Sequence, residues 1–251
     1  MTLCRVFVDP RSIQGSRLRI EGRDAFHMAR VLRMSRGDRF IAADGSGVSW
    51  EAEVSAVIPG PCVEASLTRE LHEHSEPRCK VTLYQAIPKS DKMDVVVQKC
   101  TELGVHAIVP LVTQRTICRP EGRKRDSRVE RWRRIAREAA AQSGRLVVPG
   151  IYPPLSLDEC APDRNSPFLV LWEGGPPPAS ARRLKDALPG SPPCAAASVL
   201  VGPEGGLTEA EVRLMESRGA VAVSLGSRVL RTETAGIVAV ALILHGAGDL
   251  G

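Results

Sequence analysis

Apolar and polar positions alternate with the period of a strand in the first seventy residues. Trp50, Ala52, Val54, Ala56 and Ile58 face one way, Glu51, Glu53, Ser55 and Val57 the other, and after Pro59-Gly60-Pro61 the pattern resumes at Val63, Ala65 and Leu67. A period of two gives each segment one core face and one wet face, so both are predicted strands. Between Asp24, a predicted N-cap, and Gly37, a predicted stop, Phe26, Val31 and Leu32 suit a short helix that carries Arg30 and Arg33 outward. Short strands with one helix predict a small barrel.

From Lys80 onward the rhythm becomes strand, helix, strand, helix. Val81 to Ile87 is an apolar run, Met93, Val96, Val97 and Cys100 have helical spacing between Asp91 and Leu103, Gly104 ends that helix, and Ala107 to Val112 is the next strand. Phe168 to Trp172, Val199 to Val201 and Ala220 to Leu225 are further buried strands. This alternation predicts an α/β domain with a mostly parallel sheet. The polar stretch Arg69 to Arg78 reads as a solvated linker, because His72, Glu73 and His74 have no third metal ligand near them. The expected division is 1–72 and 73–251.

Composition changes this picture little. Of 251 residues 43% are hydrophobic and 25% charged, as in soluble globular proteins, so disorder is not the default. Seven scattered cysteines without a Cys-x-x-Cys pair predict reduced, buried thiols and no metal. No signal-peptide pattern is seen, and the apolar run near Ile237 to Leu244 is too short for a membrane span. The expectation is a cytoplasmic protein with no membrane partner.

The net charge of +5 is concentrated. Arg119 to Arg145 holds ten basic against four acidic residues, a net of +6. Within the predicted helix Asp126 to Ser143, Val129, Trp132, Ala136, Ala139 and Ser143 can line one side, with Arg128, Arg131, Arg134 and Arg137 on another. A solvated face is one reading; the sign imbalance favours an anion-binding face, and arginine suits bidentate phosphate contact.

Two glycine turns at strand ends carry the candidate chemistry. The first, Val201-Gly202-Pro203-Glu204-Gly205-Gly206-Leu207-Thr208, precedes a helix that Thr208 and Glu211 would cap. As a phosphate cradle it fits badly: Pro203 has no N–H, Glu204 repels phosphate and no Lys-Ser/Thr follows. A ligand with a positive centre and an adenosine is more compatible, and purely structural glycines are the alternative. The second turn, Ser224 to Ala235, opens a helix that Thr232 can cap, with Glu233 near its positive end. Arg231 and Glu233 there are either a local ion pair or functional groups.

Several motifs occur in order along nearly the whole chain. They are Arg5-Val6-Phe7-Val8-Asp9, Val31-Leu32-Arg33-Met34 with Gly37-Asp38, Gln85-Ala86-Ile87-Pro88-Lys89-Ser90-Asp91-Lys92-Met93-Asp94, Gln98-Lys99-Cys100-Thr101-Glu102-Leu103-Gly104, Glu130-Arg131-Trp132 with Glu138-Ala139-Ala140, Gly202-Pro203-Glu204-Gly205-Gly206 and Leu230-Arg231-Thr232-Glu233-Thr234-Ala235. Together they resemble the bacterial 16S ribosomal RNA uridine-N3 methyltransferase family, within the knotted SPOUT methyltransferases. The resemblance implies a PUA-like RNA-binding β-barrel domain, a SPOUT domain whose trefoil knot holds S-adenosylmethionine, and a homodimer acting on 16S ribosomal RNA or the small ribosomal subunit. Phe26-His27 stands where relatives often have two histidines, Ser90 where many have glycine, and Cys100 where alanine is common.

By the same resemblance the cofactor loops fall on three segments. Leu171 and Glu173 belong to the first, Val201, Gly202, Pro203, Glu204 and Gly205 to the second. The third supplies Leu225, Gly226, Val229, Leu230, Arg231, Thr234 and Ala235. Methyl transfer from a sulfonium needs alignment rather than a metal. Uridine N3 must lose a proton, so Arg231 is the candidate stabiliser of the developing imidate, with Glu204 or Glu233 orienting it or relaying the proton. Candidate RNA contacts are Arg5, Arg30 and Arg33 on the barrel, Lys89 and Lys92 at the start of the second domain, and Arg131 and Arg134 on the basic helix. A non-catalytic RNA-binding module, a methyltransferase for another structured RNA and a nucleotide-dependent enzyme are the competing classes.

Overall fold

The computed structural model describes residues 3–60, 62–72, 75–161, 163, 165–172, 182–188 and 194–251. Met1–Glu76 with Ala140–Val148 form one compact unit, and Pro77–Ala139 with Pro149–Gly251 a second.

In the first unit the chain runs through β1 (Arg5–Phe7), β2 (Ile13–Gln14), β3 (Arg17–Glu21), α1 (Gly22–Phe26), β4 (Arg39–Ala43), β5 (Ser49–Ile58) and β6 (Cys62–Leu71). They form a six-stranded sheet in the order β1-β4-β5-β6-β3-β2, antiparallel except for β1 beside β4. Alternation does its work here: Leu18, Ile20, Phe40, Ala42, Ala52, Val54, Val63 and Ala65 share one core. Arg69 to Leu71, expected in a linker, instead complete β6 opposite Ser49 to Glu51.

The helix departs from its expected register. It starts at Gly22 with Glu21, not Asp24, at the N-cap, and continues as a π-helix over His27–Val31. The wider π turn rotates the helix against a 3.6-residue pattern. Ala25 and Met28 therefore enter the core, while Phe26 (52%) and Val31 (60%) are exposed.

Glu76, also expected in solvent, is a structural anchor of this unit. Its carboxylate accepts from Arg145 Nη2 at 2.6 Å and from the backbone N–H groups of Leu146 and Val147 at 2.9 and 3.1 Å. Burial works to raise the Glu76 pKa, but the Arg145 bond and charge and the two N–H groups together hold it below the ordinary carboxylate value.

The second unit contains β7 (Lys80–Ala86), α2 (Lys92–Leu103), β8 (Ala107–Val112), α3 (Gly122–Gln142) except its last three residues, which are assigned to the first unit, β9 (Gly150–Ile151), β10 (Leu155–Ser156), β11 (Phe168–Leu171), β12 (Arg182–Arg183), α4 (Leu184–Ala187), β13 (Ala196–Val201), α5 (Glu209–Ser217), β14 (Val221–Ser224) and α6 (Thr232–Gly246). The sheet order is β10-β8-β7-β13-β11-β14-β12, with β9 also on β8, and all its pairs are parallel. Every apolar run read as a strand is one. Met93, Val96, Val97 and Cys100 of α2 are buried, and Gly104 caps the helix with φ 107°. On α3 Val129, Trp132, Ala136 and Ala139 are buried as their spacing requires; Ser143 lies past the helix end and is exposed. Among the described residues no helix is long and apolar enough to cross a membrane.

Candidate cofactor site

β11 lies between β13 and β14 and runs parallel to both, with Leu169 opposite Val199 on one side and Val221 on the other. The carboxyl ends of three adjacent strands therefore meet at one edge, where ligands of open α/β sheets collect. A cleft of about 520 Å³ lies there, walled by Leu171, Trp172, the segment Val201 to Leu207, Val229 to Thr232 and Ala235, with Lys92 and Arg115 at its border. An aliphatic wall with the backbone of a glycine loop suits the flat, apolar face of a nucleoside.

The loop after β13 folds on itself. Gly206 N–H donates to Pro203 O at 2.8 Å, and a β-carbon at Gly202 would lie 3.0 Å from Leu207 N, so part of the glycine content serves the turn. Thr208 and Glu211 close the expected capping box on α5, and Glu211 also accepts from Gln114 N–H at 2.7 Å.

Thr232 does something other than the expected capping. Arg231 occupies the N-cap of α6, and the buried Thr232 hydroxyl donates to Gly202 O at 2.6 Å while accepting from Gln85 Nε2 at 2.9 Å. One hydroxyl thus ties the ends of β7 and β13 to the start of α6. Thr232→Val keeps the shape and strands both partners, so it should destabilise the protein by about 2 kcal/mol in urea unfolding. A loss below about 0.5 kcal/mol would show the bridge to be unimportant.

Charges at the mouth sort themselves. Lys92 Nζ lies 3.5 Å from Glu204 Oε1 and 3.4 Å from Glu233 Oε2, and Lys89 N–H donates to Glu204 Oε1 at 2.9 Å. Burial pushes the Glu204 pKa up, but the Lys89 N–H, its own N–H and the Lys92 charge together leave it below the ordinary carboxylate range. Lys92, nominated for RNA, is thus the partner of both acids, because the first turn of α2 carries it between them. Neither the expected carboxylate orientation of Arg231 nor a local Arg231–Glu233 pair forms. Arg231 lines the cleft, is exposed, and makes no side-chain hydrogen bond or ion pair with the described residues.

Of the other expected cofactor residues, Leu171, Val201, Gly202, Pro203, Gly205, Val229, Leu230 and Ala235 line the cleft, whereas Leu225, Gly226 and Thr234 do not. Glu173 lies outside the described residues. Trp172 and Leu207 lie within the segments that the sequence indicated, whereas Arg115 and Gln85 were missed; the position of Thr113-Gln114-Arg115, just past a predicted strand, was the available signal. Ser90 holds φ 58°, the left-handed region in which glycine is at ease.

The RNA candidates divide too. Arg5 Nη1 donates to the carbonyls of Gly144 and Arg145 at 2.6 and 2.8 Å, which gives it a structural duty. Arg131 pairs with Asp94 and Asp91, and Arg134 with Glu138 at 3.8 Å, so neither is an isolated cation. Arg30, Arg33 and Lys89 are exposed, as are Arg123 and Lys124 on the first turn of α3.

Residues 74–244 match the RNA methyltransferase domain family and residues 20–63 the RNA methyltransferase PUA domain family. The chain is 34% identical to ribosomal RNA small subunit methyltransferase E of Synechocystis sp. over 243 residues, 95% of this chain and 76% of that protein. It is 31% identical to a crystal structure of ribosomal RNA small subunit methyltransferase E from Neisseria gonorrhoeae bound to S-adenosyl methionine, with TM-score 0.84, covering 97% of this chain and 98% of that one. A methyltransferase from Legionella pneumophila, solved with the cofactor SAM, is 29% identical with TM-score 0.87 and covers 98% of both chains.

Proposed function

Because this chain belongs to the RNA methyltransferase family that includes ribosomal RNA small subunit methyltransferase E, we propose that it methylates N3 of a uridine in 16S ribosomal RNA from S-adenosylmethionine. The observation that carries the reading is the cleft at the three strand ends, bordered by an arginine that no carboxylate among the described residues neutralises. Its donor set suits this cofactor: Pro203 and Glu204 stand where a phosphate cradle needs N–H groups, while the loop backbone and aliphatic wall suit an adenosine.

When bound, S-adenosylmethionine supplies an electrophilic methyl carbon on a sulfonium. Leu171, Val201, Leu207, Leu230 and Ala235 enclose the adenosine and exclude water. Arg231 donates to the base oxygens beside N3 and stabilises the imidate that forms as the imide proton leaves. The imide proton passes to a water at the mouth and from it to bulk solvent, and Glu204, held ionised at neutral pH by its lowered pKa, accepts a hydrogen bond from that water. The target base must be unpaired and turned out of its stack to present N3. The PUA-like domain and the exposed cations Arg30, Arg33, Lys89, Arg123 and Lys124 contact the RNA backbone.

The same reading includes a trefoil knot around the cofactor loops, a homodimer, a cytoplasmic location and a domain division near residue 72, all supported by the family relationship. The test is mass spectrometry of 16S ribosomal RNA from cells lacking the gene, together with methylation of small subunits by the purified protein. A single N3-methyluridine should vanish and be restored. An unchanged nucleoside profile would overturn the reading.

A further inference from the structure

The loop Val201 to Leu207 is braced from two directions by cations that neighbour neither it nor each other in sequence. Lys92, on α2, reaches Glu204. Arg115, in the loop after β8, donates from Nη1 to Gly205 O at 2.7 Å and to Leu207 O at 3.4 Å. That loop is itself stiffened. Thr116 Oγ1 accepts from Thr113 N–H at 2.9 Å, and Arg119 donates to the carbonyls of Thr113, Gln114 and Thr116.

A second observation ties Arg115 to a glycine. The three atoms nearest a β-carbon added at Gly205 would all belong to Arg115: Cβ at 3.3 Å, Cδ at 3.4 Å and Cγ at 3.9 Å. The side chain lies across the bare α-carbon. Gly205 has no positive φ that would demand glycine on its own account.

We propose that Arg115 and Lys92 are positioning residues that clasp the cofactor loop, and that position 205 is glycine because the Arg115 stem crosses it. This rests on the cleft being the S-adenosylmethionine site, and it assigns to the loop after β8 a task in donor binding. A cation that ties down two carbonyls of a binding loop lowers the ordering cost of binding. Arg115 acts through the loop rather than on the methyl group.

The test is a double-substitution cycle on the full chain with Arg115→Ala, Gly205→Ala and both together, read by thermal unfolding without ligand and by calorimetric titration with S-adenosylmethionine. Arg115 is exposed, so its truncation leaves the core intact. Arg115→Ala should weaken the donor about tenfold, the equivalent of one charged hydrogen bond, with kcat at saturating donor nearly unchanged. Gly205→Ala should lower the unfolding midpoint by about 3 °C in the parent and by less beside Arg115→Ala, since Cγ and Cδ are then gone and only the Cβ contact remains. Arg115→Lys, which keeps the charge, should recover part of the affinity. Equal costs of Gly205→Ala in both backgrounds would overturn the proposal, because the glycine would then serve the ligand or its own backbone. If the parent protein bound no S-adenosylmethionine, the cofactor reading would fail, and the ligand-free cycle would still decide whether Arg115 and Gly205 are coupled.

Discussion

Arg231→Ala should lower kcat for ribosomal RNA methylation by about 10²- to 10³-fold, the usual cost of removing one preorganised donor to a developing oxyanion. The size of the effect follows from the isolation of Arg231. Lys92 is held by Glu204 and Glu233, and Arg115 is held by loop carbonyls, so among the described residues Arg231 is the cleft cation left to meet new negative charge. Affinity for S-adenosylmethionine should change less than about threefold, because the loss concerns an interaction made in the transition state. Arg231→Lys should restore only part of the rate, since an ammonium does not reproduce the guanidinium fork. Single-turnover kinetics with small subunits separates these outcomes, and a parental rate for the alanine variant would remove Arg231 from the chemistry.

Glu76→Ala should destabilise the first unit by about 3 kcal/mol, at the lower end for a broken buried ion pair because Glu76 keeps a quarter of its side chain exposed. The variant removes the carboxylate from a guanidinium whose side chain is only 5% exposed, together with two backbone hydrogen bonds. The pH dependence follows in sign. A folded carboxylate held below its ordinary value near 4.5 contributes stability that is complete above that value. That contribution is lost as pH falls through the lower folded value. Urea unfolding across pH 3 to 7 should therefore show a steeper acid loss in the parent than in Glu76→Gln. Equal slopes, or a cost below about 1 kcal/mol for Glu76→Ala, would mean that the pair does not anchor this unit.

Much of this was legible in local pattern. The apolar runs at Val81, Ala107, Phe168, Val199 and Val221 all became strands of a parallel sheet, since a strand buried on both faces has no polar face to blur the signal. The capping box at Thr208 and the stop at Gly104 were equally local. The helix after Glu21 was misread, because a π turn has no periodicity that a 3.6-residue template can detect.

The sequence by itself determined the two-part organisation of alternating strands followed by strand and helix, the glycine turns and the incompatibility of Pro203 and Glu204 with a phosphate cradle. Tertiary structure alone decided which charges are spent and which are available. Arg131, Arg5, Lys92, Glu76 and Arg231 are all charged letters in the sequence, yet four of them are held by partners and one has none among the described residues. The physical reason is that an ion pair depends on a few ångströms between side chains distant in sequence, such as the 112 positions between Lys92 and Glu204, and no local period encodes that distance.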